Sequence, residues 1–400
     1  MRQGLSQRSA LLPFAALSAS YFAHIGFFNP YLPLWLKDSG YSLLAISVLT
    51  SIQSLTRLVA PYGWGWLSDH TGERVKLLRF CATAALLIAA TLWLNLGFAA
   101  LALVLLLMFL NTSAMMPMSE AVLTQLVSQD GRLDPKRYGR VRLWGSLGFL
   151  FTVFAAGAWF EHFGLQDFPA WTLATLGLVV LSVWQLPDIK DAPHHDVPSP
   201  MLGVLLQPRV LWFFVALFFH VLSHMAIYVF FSLYLDELGY SKTMIGLLWA
   251  VSVVMEIGWF FTQSRWLPWL QPRLWLVLCA GVMVLRMGIT ASASDVLLWV
   301  LLAQALHAVT FATHHTVCIG LIGEMFTGRM RGRGQALYTV LGYGLPGVLG
   351  GLLGGALSTR WGLGSVFWAA CGCALIGMLS AIVLWWISRG PGRASWRPSA

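Results

Sequence analysis

PLWLKDSGYS, residues 33–42, returns as SLYLDELGYS at residues 232–241, an offset of 199 in a chain of 400. Each copy closes a long apolar run and ends in Gly-Tyr-Ser, so the same helix end and turn are used twice. Half of the chain therefore repeats the other half in the same direction. A weaker echo sets GRVRLWGSLGF (139–149) beside GRGQALYTVLGYG (332–344), again where corresponding apolar runs begin.

The sequence around these repeats is suited to a bilayer. Apolar residues make up 58% of it and charged residues only 10%, and the mean hydropathy is +0.72, far from the balance of a soluble domain. Runs able to cross a hydrocarbon core of about 30 Å fall near 11–36, 43–66, 76–95, 98–127, 141–163, 168–187, 209–236, 242–264, 274–293, 296–325, 335–359 and 363–388. They predict an all-α membrane protein of twelve transmembrane helices, in two six-helix halves related by a parallel repeat. The halves are residues 1–187 and 209–400, joined by a polar central loop at 188–208.

Lys and Arg gather in the two tails, the central loop and the even-to-odd connections (Arg74, Lys76, Arg79; Lys136, Arg137, Arg140; Arg329, Arg331, Arg333). Only Lys37, Lys242 and Arg360 lie in the opposite loops, which places both termini in the cytoplasm. The net charge of +9 thus serves topology and lipid head groups, with no case for nucleic acid. The first apolar run continues past Phe28, so it reads as an uncleaved span and not a signal peptide. The five cysteines sit inside spans at no metal-ligand spacing, and packing is their expected use.

Carboxylates inside spans are costly and need a reason. LLWAVSVVMEIGWFF (247–261) surrounds Glu256 with fourteen uncharged residues, and Glu120 is the other acid well inside a span. The embedded cations are Arg57 and Arg286, with Arg142 near a helix entrance. At about 1.5 Å per residue, Glu256, Arg286 and His307 reach overlapping depths. An Arg beside a Glu lowers the cost of burying either, and a nearby His can relay a proton. A permanent structural ion pair is the alternative. Three arginines against two acids leave a spare positive charge, which a bound organic anion would neutralise. His24, His220, His224, His314 and His315 carry weaker expectations, as ordinary interhelical hydrogen-bonding groups, and no metal site is expected. No GxSxG, HExxH or GxxxxGK occurs, so neither an enzyme nor a cofactor is expected.

GWLSDHTGERVKLL (65–78) resembles the loop signature of the major facilitator superfamily, with Gly65, Asp69, Gly72, Arg74 and Lys76 at the glycine, acid and base positions of that gating motif. In physical terms Gly65 allows close helix approach and Gly72 a tight turn. PMSEAVLTQLV (117–127) with RYGRVRLWGSLGF (137–149) is similar to the segment of lactose-permease-type proton symporters that carries a substrate-binding Glu and Arg, here Glu120 and Arg142. The same resemblance makes Phe149 a ring that stacks on substrate. MEIGWFF, VLRMGITAS and ALHAVTF resemble helices eight to ten of that group and imply proton coupling by Glu256, Arg286 and His307. Thr310 stands where those relatives carry a second acid, and their acid in helix seven and base in helix ten are absent. RVRLWGS, RMGI and LHAVTF are closer to a phenylpropionate permease branch.

The resemblance, together with Arg57 in the charge balance, implies a monomeric inner-membrane transporter. It would take up a small organic solute such as an aromatic carboxylate with protons, its other contacts being membrane lipids. A sugar or nucleoside symporter is the alternative. Drug efflux is a further one, although LWGSLGFLFTVFAAG (143–157) lacks the proline of the antiporter motif.

Overall fold

The computed structural model describes residues 2–94, 96–129, 132–133, 135–188, 202–327 and 330–389; within these, the side chains of residues 2–10, 69, 125, 128–129, 132–133, 135–136, 202, 331 and 332 lie outside the described residues. Among the described residues twelve helices are long and apolar enough to cross a membrane. They are Leu11–Asp38, Leu43–Ser68, Arg74–Trp93, Phe98–Thr124, Arg137–Phe163, Leu165–Trp184, Pro208–Glu237, Lys242–Trp269, Pro272–Ala293, Leu297–Met325, Arg333–Trp361 and Leu363–Ile387, called spans 1 to 12 below. A two-residue antiparallel pairing, Ser128 with Leu133 and Gln129 with Arg132, turns the chain between spans 4 and 5.

The repeated Gly-Tyr-Ser has one structural use in both places. Gly40 and Gly239 take φ of 82° and 84°, a left-handed conformation open to glycine at little cost. The serine two residues later caps the next helix: Ala45 N–H donates to Ser42 Oγ at 3.3 Å, and Met244 N–H to Ser241 Oγ at 3.1 Å.

The chain divides into two compact units, Met1–Asp196 with Gly239–Ala250, and Val197–Leu238 with Val251–Ala400. Most of the loop expected at 188–208 lies outside the described residues. In the first unit span 1 packs on spans 5 and 6, and span 3 on spans 4 and 6. In the second, span 7 packs on spans 11 and 12, and span 9 on spans 10 and 12. The pairing scheme thus recurs six spans later, the packing counterpart of the sequence repeat.

Small residues set these approaches, as is usual where lipid supplies no hydrophobic drive between helices. A Cβ on Gly26 would stand 2.7 Å from the Phe149 carbonyl oxygen, and Thr152 Oγ1 donates to the Ala23 carbonyl at 2.7 Å. A Cβ on Gly350 would meet Met225 Cβ at 2.7 Å. Rings fill the remaining space: Phe28 lies 5.1 Å from Phe168 in the first unit, and Phe213, Phe214, Leu321 and Phe326 form a buried cluster in the second. Span 10 contains a π-helical stretch, Ala308–Thr313, and wide turns of this kind are frequent at functional sites.

Candidate functional site

Each unit carries a polar constellation, buried in the second and partly exposed in the first. In the second unit Arg286 is fully buried on span 9, and neutral acceptors satisfy its guanidinium. Nε donates to the Ala303 carbonyl at 2.8 Å and Nη2 to Gln304 Oε1 at 2.9 Å. Nη1 faces Thr310 Oγ1 at 3.1 Å, His307 Nδ1 at 3.2 Å and His224 Nε2 at 3.3 Å. Ala303, Gln304, His307 and Thr310 recur at helical spacing, so one stripe of span 10 supplies four of the five acceptors. Span 7 supplies the fifth. Among the described residues no carboxylate lies within ion-pair distance of Arg286.

Glu256, on span 8, is reached through His307, whose Nε2 lies 3.3 Å from Glu256 Oε2. A guanidinium only donates, so the imidazole nitrogen facing Arg286 carries a lone pair and the proton sits on Nε2, aimed at the carboxylate. Glu256 and Arg286 are therefore coupled through one neutral ring. Glu256 keeps 22% of its side chain exposed, against 7% for His307. Thr310, which stands where lactose-type relatives carry an acid, is a neutral acceptor for Arg286.

In the first unit Arg142 Nε stands 3.7 Å from Glu120 Oε1, both side chains remaining more than a third exposed. The guanidinium carbon lies 4.2 Å from the Phe22 ring centre, a cation–π arrangement. Tyr138 stands near Glu120, and Tyr21 donates to the Thr112 carbonyl at 3.3 Å in a neighbourhood that includes Arg57. Phe149 meets span 1 through its backbone at Gly26; the ring that covers Arg142 is that of Phe22. Phe22, Tyr138 and Gln304 were missed in the sequence, whereas His224, expected there as an interhelical hydrogen-bonding group, faces Arg286. Helical spacing from His307 would have pointed to Gln304.

At the loop motif, Gly72 closes the helix of span 2 with φ of 68°, its N–H donating to Ser68 O at 2.9 Å. Arg74 Nε donates to Ser68 Oγ at 2.9 Å. No described atom comes within 4 Å of where a Gly65 Cβ would stand, so in this conformation Gly65 serves no close helix approach. The Asp69 side chain lies outside the described residues. Among the described residues no group of three or more His, Cys, Asp or Glu is placed to hold a metal ion.

The MFS_1 like family model matches residues 16–369. The chain belongs to that family. This MFS_1-like protein is similar to a probable 3-phenylpropionic acid transporter of Escherichia coli, 29% identical over 90% of this chain and 94% of the relative. It is also similar to a maltose permease of Geobacillus stearothermophilus, 26% identical over 91% of each chain. Its fold matches the crystal structure of nucleoside transporter NupG with a TM-score of 0.81 at 14% identity, over 94% of this chain and 99% of that one. The MFS_1-like protein is thus a multi-pass membrane protein and a secondary transporter, not an enzyme.

Proposed function

We propose that this transporter couples proton movement to the uptake of a small organic acid, aromatic carboxylates first. The observation that carries the proton part is the Arg286–His307–Glu256 chain. A proton arriving on Glu256 neutralises the charged acceptor of His307 Nε2–H and gives the carboxyl a donor of its own, so protonation weakens the hydrogen bonding that fixes the ring against Arg286. A fixed ion pair would need no intervening imidazole and no exposed carboxylate.

The substrate part rests on Arg142. Arg286 has its donors committed within the protein, whereas Arg142 keeps a partly exposed guanidinium beside Glu120 and under Phe22. A carboxylate can pair with such a fork in two parallel bonds while an aromatic body meets the ring. Arg57 adds positive charge nearby. The name of the phenylpropionic acid relative supports the same class. Cytoplasmic termini belong to this proposal on the charge asymmetry of the loops, and inner-membrane location and a monomer on the family resemblance.

Sugar or nucleoside symport is the second reading, favoured by the maltose and nucleoside names and by the ability of a Glu–Arg pair to grip hydroxyls. Uptake into proteoliposomes of aromatic acids, sugars and nucleosides under an imposed pH gradient separates the readings. Accumulation of aromatic acids is expected. Accumulation of sugars or nucleosides alone rejects the organic-acid assignment, and outward-only transport rejects uptake.

A further inference from the structure

Arg286 has a second side that the Glu256 chain does not use. Its Nη1 also faces Nε2 of His224 at 3.3 Å, and because that nitrogen must accept, His224 carries its proton on Nδ1. One turn back on span 7, His220 Nε2 lies 2.7 Å from the Thr310 carbonyl oxygen. A carbonyl only accepts, so His220 is protonated at Nε2 and Nδ1 is left with a lone pair. That Nδ1 is buried without a hydrogen-bond partner, on a side chain 2% exposed. An unpaired buried acceptor is costly and calls for an explanation.

The two rings supply one. Their centres are 6.3 Å apart, too far for a direct bond, and a cavity of ≈ 10 Å³ opens against both, lined further by Tyr228, Thr310, His314 and Tyr343. A space of that size holds about one water molecule. We propose that this cavity is a binding site for a single water, which accepts from His224 Nδ1–H and donates to His220 Nδ1. His314 holds the His220 ring in place by stacking on it, centres 3.7 Å apart and planes 9° apart.

Two imidazole arms then leave Arg286. One runs through His307 to the Glu256 carboxylate. The other runs through His224, the water and His220 to the Thr310 carbonyl on the π-helical stretch. In both arms every donor points away from the guanidinium, so both offer it lone pairs. The second arm ends on a peptide carbonyl, which does not titrate, and it keeps the cation solvated while a proton neutralises Glu256. That role rests on the proton-coupled reading; the water site itself does not. His224 and His220 are positioning residues acting through Arg286. The charged and titratable groups around them are Arg286 on span 9, His307 and His314 on span 10, Tyr228 on span 7 and Tyr343 on span 11.

The test uses the full-length protein in liposomes, labelled with nitrogen-15 histidine and read by solid-state NMR. Variants His220→Gln and His224→Gln serve to assign the signals. Expected are a proton on Nδ1 of His224, a proton on Nε2 of His220, and magnetisation transfer from a bound water to His220 Nδ1. The opposite tautomer at either ring, or no water contact, overturns the site. The role is read from substrate exchange at acid and alkaline pH. His220→Gln keeps a donor and an acceptor, whereas His220→Leu keeps neither, and their exchange rates should differ by about tenfold at acid pH and less at alkaline pH. Equal rates at both pH values reject the role. Uphill accumulation by Glu256→Gln with the water in place would count against proton coupling alone.

Discussion

His307 stands between Glu256 and Arg286, with Nε2 3.3 Å from the carboxylate and Nδ1 3.2 Å from the guanidinium. A fully buried cation is thereby satisfied by neutral acceptors and meets Glu256 through a ring that can rotate or change its proton. Charged groups inside a bilayer protein are tolerated when such partners are complete. Removing one exposes the cost of the rest.

Arg286→Lys should lower thermal stability in detergent. An ammonium cannot span acceptors on spans 7 and 10 as the planar fork does, and a broken buried network costs about 3 kcal/mol. Melting curves of the purified variant check this; an unchanged midpoint would mean the guanidinium geometry is dispensable.

Arg142→Lys should weaken substrate binding by at least about tenfold, or ~1.4 kcal/mol, with folded protein levels unchanged. Phe22→Leu should cost less, about 0.5–1 kcal/mol for an exposed cation–π contact. Equilibrium binding to both variants decides. Wild-type affinity in a well-expressed Arg142→Lys protein removes Arg142 from the binding site.

Gly26→Val should reduce the yield of folded protein, since even its Cβ would stand 2.7 Å from the Phe149 carbonyl oxygen, and overpacking costs about 1–3 kcal/mol. Gly63→Ala, which meets no described atom within 4 Å, is the control and should fold normally. Gel-filtration profiles of the two proteins make the comparison, and matching profiles would show that spans 1 and 5 can separate at no cost.

Thr310→Val should lower the stability of the second unit. Its Oγ1 is one of three acceptors facing the two N–H groups of Arg286 Nη1, so its loss leaves both imidazoles as the sole acceptors there and costs about 1 kcal/mol. Thermal melts of Thr310→Val and Thr310→Ser distinguish the lost acceptor from the lost methyl group: only the valine variant should fall.

Much of the fold could be read from the sequence because bilayer physics limits the choices. PLWLKDSGYS and SLYLDELGYS fix a direct repeat, and Gly40 and Gly239 do adopt matching left-handed turns. Glu256, His307 and Arg286 could be grouped by depth alone, since rise per residue is constant along a helix. Rotation about the helix axis could not be read in the same way. Whether Phe22 or Phe149 covers Arg142 depends on how spans 1 and 5 mesh at Gly26 and Gly148. Span 10 widens into a π-helical stretch at residues 308–313 beside the Arg286 acceptors, and nothing in ALHAVTF announces that turn. Gly65 reads as a close-packing residue by motif, yet has open space beside it.

The most direct measurement is solute accumulation by Glu256→Gln in proteoliposomes with an imposed pH gradient, set beside solute exchange without one. Proton coupling at Glu256 predicts that exchange persists while accumulation against the gradient is lost. A Gln variant that still concentrates its substrate as the wild type does would contradict it.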